Sequence, residues 1–151
     1  THELIKQEAE NREVWIELEI PEKLPPIQFD KNQIKQVCFN LLKNATEAMP
    51  DGGLIKVAVD SSDRFVEVSF ADNGPGIPAD LLQNIFEPYH STKDEGSGLG
   101  LMIVQRIIRD HGGLIEIDSK PGKGTTLTLF LPREDQRIRL LESATKEEDH
   151  E

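Results

Sequence analysis

Asn40, Asn44 and Glu47 recur at helical spacing, with Lys43 beside them. Carboxamide oxygens at i and i+4 share one helix face. They are neutral, hard donors, suited to a cation such as Mg²⁺ that keeps several waters and takes its other ligands from phosphates. An ordinary solvated helix face has the same pattern. Asp72-Asn73-Gly74-Pro75-Gly76-Ile77 follows directly on a strand-like run. A carboxylate at a strand end accepts a hydrogen bond from an exocyclic amine such as that of adenine, and glycines admit a ligand close to the backbone. The same residues also make a good surface turn. Gly96-Ser97-Gly98-Leu99-Gly100-Leu101 opens an apolar helical run, offering backbone N–H groups and a positive dipole end to an anion. No lysine-serine or lysine-threonine pair ends this loop as in a P-loop, and no strand feeds it directly as in a dinucleotide fold. Gly122-Lys123-Gly124-Thr125-Thr126, ahead of Leu127, Leu129 and Leu131, reads by itself as a hairpin turn entering a strand.

The surrounding elements follow from periodicity and turn chemistry. Thr1 to Arg12 is polar with sparse apolar residues and is expected to form a short lead-in helix. Val14 to Ile20 alternates, which predicts a strand with one solvated face. Pro21, Pro25 and Pro26 force a loop. Asp30 with Gln33 three residues on forms a capping box. The helix it opens carries Ile34, Val37, Cys38, Leu41, Leu42, Ala45, Ala48 and Met49 on a face that packs on a sheet. The asparagine stripe is expected on the opposite side, and Cys38 in the core. Pro50-Asp51-Gly52-Gly53 stops this helix. Leu54–Val59 and Phe65–Ala71 are strands joined at Asp60–Arg64. The stretch Asp72–Gly100, with a short helix near Ala79–Ile85, is long and irregular, the mark of a functional loop or lid. A second helix runs from about Gly98 to His111, where Gly112-Gly113 stops it. Leu114–Ser119 and Thr125–Leu131 close as a hairpin. This order predicts an α+β, two-layer α/β sandwich. Its sheet is mixed, mostly antiparallel and of about five strands, with helices on one face and a flexible lid. It lacks the rhythm of a doubly wound fold. Residues 1–132 form one domain and 133–151 a charged tail.

Bulk properties set the bounds. A chain of 151 residues suits one domain that buries roughly two-thirds of its unfolded surface. Hydrophobic residues at 36% and charged residues at 30% place it among globular chains rather than disordered or membrane-spanning ones. A net charge of −11 excludes a nucleic-acid surface, since phosphates are repelled at long range. A local nest of backbone donors with a metal ion still accommodates a nucleotide. A single cysteine, Cys38, leaves no internal disulfide and fits a reducing compartment. With no signal segment or apolar span, a cytoplasmic domain is expected, whether or not its parent is membrane-anchored.

Taken in order, five segments resemble the sequence boxes of sensor histidine kinases. Asn40-Leu41-Leu42-Lys43-Asn44-Ala45 is similar to their asparagine box and Phe86-Glu87-Pro88-Tyr89 to their phenylalanine box. Asp72–Ile77, Gly96–Leu101 and Gly122–Thr126 are similar to their three glycine boxes. The resemblance is to the catalytic and ATP-binding domain, in the superfamily that also holds DNA gyrase, ninety-kilodalton heat-shock chaperones and mismatch-repair ATPases. It covers roughly residues 10–132. It implies that Asn44 is the Mg²⁺ ligand and that Asn40 supports the phosphate side. Asp72 binds the adenine amine, Gly74, Gly76 and Ile77 line the base, and Thr125 holds a water beside it. Gly96, Ser97, Gly98, Leu99, Gly100 and Leu101 wrap the phosphates of ATP. Residues 78–97 are the lid, anchored by Phe86 and Tyr89. Glu47 departs from the basic residue that many members carry there. Glu47-Ala48 and Ser91-Thr92-Lys93 resemble the nitrogen-regulation branch, with Lys93, alone or with His90, supplying positive charge to the phosphates.

The reaction so implied is in-line γ-phosphoryl transfer from Mg·ATP to a histidine on a separate dimerisation domain, with a response regulator downstream. The parent is expected to be a homodimer and this fragment a monomer. None of the four histidines stands in a phosphoacceptor setting, so the fragment is expected to bind ATP with little or no self-phosphorylation. Gyrase-like relatives carry a water-activating glutamate where this chain has Asn40, which favours transfer over hydrolysis. Two alternatives share the fold. One is a serine/threonine kinase of the anti-sigma-factor type, for which Glu47 is the candidate base; the other is a non-catalytic nucleotide-sensing module.

Overall fold

A computed structural model of the chain describes the backbone of residues 2–9 and 12, and residues 13–86 and 100–134 with their side chains. The elements are β1 (His2–Ala9), β2 (Arg12–Glu19), α1 (Lys31–Ala48), β3 (Gly53–Ser61) and β4 (Phe65–Asp72). They continue with α2 (Ala79–Leu82), α3 (Gly100–Asp110), β5 (Leu114–Ser119) and β6 (Thr125–Pro132). The strands form one six-stranded sheet in the order β1-β2-β3-β4-β6-β5. Only β2 and β3, the pair that α1 connects, run parallel; the other pairings are antiparallel. The α+β, two-layer arrangement thus stands, with α1 and α3 covering one face of the sheet.

Alternation decides which face is covered. Val14 and Ile16 on β2 are buried while Trp15 between them is exposed. Along β4 and β6 the same period turns Val66, Phe70, Leu127, Leu129 and Leu131 inward. There they meet Val37 and Leu41 of α1 and Val104, Ile107 and Ile108 of α3 in the main core. A second cluster of Val14, Ile16, Met49 and Ile55 fills the space under the end of α1. Cys38 packs against the main core, and burial pushes its thiol above the free value of 9.0.

Local rules fix the helix ends. Asp30 caps α1 by accepting from the amides of Asn32 and Gln33 at 2.9 and 3.0 Å. At the end of α3, Gly113 N–H donates to the Ile108 carbonyl and Gly112 N–H to that of Arg109, both at 2.9 Å. This pattern closes a helix through a left-handed residue, here Gly112. No helix among the described residues is long and apolar enough to cross a membrane.

The lead-in segment departs from expectation. Residues 2–9 form β1, not a helix, and pair in register with β2 from His2↔Glu19 to Ala9↔Arg12. Helix-favouring side chains such as Glu, Leu, Lys and Gln suggest otherwise, but propensity is a weak prior that tertiary context overrides. One edge of β2 is taken by β3. Its other edge needs partners for a row of N–H and C=O groups, and the adjoining segment supplies them. β1 is therefore the sixth strand of a sheet expected to have about five.

Candidate nucleotide site

The asparagine stripe does not lie opposite the core face of α1 but on its border. Asn44 is seven residues beyond Val37, and a heptad brings an α-helix back to within about 20°. Val37 is fully buried, so Asn44 emerges at the rim of the core and is half-buried, as is Asn40. Above it stands the first residue of α3. A Cβ built on Gly100 would lie 3.6 Å from both Oδ1 and Nδ2 of Asn44. The Asn44 carboxamide therefore abuts α3 at Gly100, the first of its described residues. One turn earlier, Nδ2 of Asn40 is buried with no hydrogen-bond partner among the described residues. An orphaned amide costs roughly 1–3 kcal/mol and marks a place where a ligand atom fits. Glu47 leans along the helix toward Lys43, at 3.9 Å.

A second cluster gathers at the end of the sheet. Asp72 pairs with Ile55 on one side and Thr125 on the other, and Thr125 pairs with Ser119. Directly opposed residues point to the same face, and Ile55 points into the core. Asp72, Thr125 and Ser119 therefore form a polar row on the helix-covered face. Oδ1 of Asp72 accepts from the Gly74 amide at 3.0 Å. Asn73, by contrast, is structural: its Oδ1 accepts from the Leu54 amide at 2.9 Å, prolonging the β3–β4 pairing.

The loops at 72–77 and 120–125 are zipped together. Gly122 N–H donates to the Pro75 carbonyl at 2.7 Å. Gly76 has φ +76°, and a Cβ there would run into the Lys120 carbonyl, while Gly124 lies as tightly against the carbonyl of Asp72. Ser119 Oγ accepts from the Ile77 amide at 2.8 Å, contacts Thr125 Oγ1 at 2.8 Å and donates to the Gly124 carbonyl at 3.1 Å. Ser119 belongs to no motif. Its only signal in the sequence is the period of β5, where Ile115 and Ile117 point inward and a polar residue follows in the same phase.

α1 connects the two clusters. Gly74 packs where a Cβ would stand 3.1 Å from Met49 Cγ and 3.6 Å from the Ala48 carbonyl. Ala48 is four residues beyond Asn44, or ~6 Å along the axis. Asn44 beside α3 and Asp72 beside the end of α1 therefore both lie along the C-terminal part of α1, where the helix layer meets the sheet. Leu101 packs its side chain on the core, leaving only its backbone to face a ligand. Gly74 and Thr125 flank Asp72, Gly76 and Ile77 lie in the loop that follows it, and Gly100 stands beside Asn44; Phe86 is half-buried after α2. Tyr89, His90, Ser91, Thr92, Lys93, Gly96, Ser97, Gly98 and Leu99 lie outside the described residues.

Residues 29–135 match the family of histidine kinase-, DNA gyrase B- and HSP90-like ATPases, and the chain belongs to that family. Within it, the similarity is to sensor kinases. The chain is 44% identical over 130 residues to sensor histidine kinase ZraS of Escherichia coli K12, a match spanning 86% of this chain and 28% of that protein. It is 42% identical over 133 residues to sporulation kinase E of Bacillus subtilis 168, spanning 87% of this chain and 18% of that one. Among solved structures, the catalytic domain of histidine kinase ThkA superposes with a TM-score of 0.68 at 37% identity, covering 77% of this chain and 76% of that one. Full-length ShkA in complex with AMPPNP gives a TM-score of 0.71 at 30% identity, covering 80% of this chain and 26% of that one. These relatives do not support the finer likeness to the nitrogen-regulation branch: Glu47-Ala48 and Ser91-Thr92-Lys93 are too short to sort branches against similarity spread over 130 residues.

Proposed function

We propose that this chain binds Mg·ATP where α1, the end of β4 and the start of α3 come together, and presents the γ-phosphoryl group to a histidine of its parent kinase. The observation that carries this is the placement of the Asn44 carboxamide against the first residue of α3, one helical turn from the residues that touch the Asp72 loop. Membership of the ATPase family and likeness to a sensor kinase solved with AMPPNP support it.

The roles follow from chemistry. Asp72 accepts from the adenine amine, with Gly76 and Ile77 against the base and Thr125, its cross-strand partner, meeting the same edge directly. Gly98, Leu99, Gly100 and Leu101 offer backbone amides to the phosphates, and Lys93 adds a positive charge. Asn40 donates its orphaned Nδ2 hydrogens to a phosphate oxygen. The Asn44 oxygen suits Mg²⁺ as one ligand among phosphates and waters, and the ion supplies charge neutralisation when bound. Asn40 takes up no proton, so it activates no water, which favours transfer over hydrolysis. Positioning and electrostatics carry the catalysis, and the acceptor histidine comes from a dimerisation domain upstream of this fragment. A response regulator would take the phosphoryl group onward.

The test is incubation of the chain with labelled ATP, alone and with its parent's separately expressed histidine hairpin domain. Acid-labile phosphate on the hairpin histidine, and none on the chain alone, is expected. Phosphate on a serine partner, or binding without transfer, refutes the histidine-kinase reading.

A further inference from the structure

The Ser119 hydroxyl has one proton and two lone pairs to distribute among three neighbours. The Ile77 amide only donates and the Gly124 carbonyl only accepts. The Ser119 proton therefore goes to Gly124, and one lone pair is taken by Ile77. Thr125 Oγ1, 2.8 Å away, is left to donate its own proton to the second lone pair. With that proton committed, Thr125 offers any third partner lone pairs only.

We propose that Ser119 is a positioning residue that sets the hydrogen-bond polarity at the base end of the site, so that Thr125 and Asp72 together accept and never donate. This rests on the ATP-binding reading above. Thr125 and Asp72 are direct cross-strand partners on one face, so both meet the same edge of a bound base. Adenine brings an amine with two N–H groups, which two acceptors satisfy. Hypoxanthine and guanine bring a carbonyl oxygen at that position beside a ring N–H. A carboxylate alone still finds the ring N–H, so Asp72 by itself discriminates incompletely. An acceptor-only Thr125 facing a carbonyl oxygen leaves two acceptors opposed with no proton between them, and buried mismatches of this kind dominate selectivity. Loss of the Ser119 oxygen frees the Thr125 proton to turn toward such a carbonyl.

The experiment compares dissociation constants for ATP and ITP in the wild-type chain and in Ser119→Ala, Ser119→Thr and Thr125→Val, each checked by thermal unfolding. In Ser119→Ala the ATP-over-ITP preference is expected to fall about tenfold, the worth of one hydrogen bond, whereas Ser119→Thr keeps the wild-type ratio. Thr125→Val, which removes the opposing acceptor, is expected to narrow the ratio equally. If Ser119→Ala does not fold, Ser119→Cys, of similar shape but a weak donor, takes its place with the same expectation. Equal loss of both nucleotides in the Ser119 variants, or an unchanged ratio, overturns the role of Ser119. A wild-type chain that binds neither nucleotide overturns the ATP-binding reading, and this inference with it.

Discussion

Gly100 begins α3 directly over the carboxamide of Asn44, with room for a methyl group 3.6 Å from both of its polar atoms. That spacing is ordinary van der Waals contact, so an alanine methyl fits against the carboxamide, but it takes space that the proposed site gives to the phosphates. Gly100→Ala should therefore leave the fold intact, and even gain some tenths of a kcal/mol from helix propensity. ATP affinity should still fall several-fold. Asn44→Ala should lose at least tenfold in affinity and abolish the dependence on Mg²⁺. Calorimetric titration with and without the ion checks both.

Asp72→Asn should separate recognition from structure. Asparagine keeps an Oδ1 that accepts from the Gly74 amide, so the 3.0 Å turn contact survives. In the proposed site it places an amide where a carboxylate would face the adenine amine. Unfolding should change little, while ATP affinity drops about 10–100-fold and the preference over GTP largely disappears. Competition binding with the two nucleotides reads this out.

The two glycines of the zipped loops should differ in cost. Gly122 has φ +78° but nothing among the described residues within 4 Å of a Cβ, so Gly122→Ala should cost only the left-handed penalty of about 1–2 kcal/mol. Gly76 pays that penalty and also meets the Lys120 carbonyl. Gly76→Ala should cost clearly more than Gly122→Ala and should loosen nucleotide binding. Urea unfolding midpoints of the two variants make the comparison.

His111 staples the far end of the helix pair. Its ring stacks on Phe29 at 3.8 Å and 10°. Nδ1–H donates to the Ile107 carbonyl at 2.7 Å, and Nε2 accepts from the Asp30 amide at 3.2 Å. His111→Ala should destabilise the chain by roughly 1–3 kcal/mol by freeing the Asp30 amide and the aromatic contact. Asp30 opens α1 while Asn44 sits near its end, so ATP affinity of the folded fraction should hold. Chemical denaturation and titration on the same sample distinguish the two effects.

Much of this architecture is legible locally. The capping aspartate at 30, the apolar stripe of α1, the alternation of β2 through β6 and the double glycine after α3 each express a rule that operates within a few residues. The order of the asparagine and glycine segments places the chain in its family before any coordinates. Other features depend on which distant strands meet and in what register. β1 exists because a neighbouring edge lacked partners, against its own composition. Asn40 and Asn44 flank the core face because the orientation of α1 is set by the elements packed on it. Ser119 reaches Ile77 across 42 positions and His111 reaches Asp30 across 81, separations at which sequence spacing carries no distance information. The sequence by itself determined the elements from β2 onward and the chemical groups; the tertiary structure alone decided β1 and which groups come together, because both depend on long-range packing.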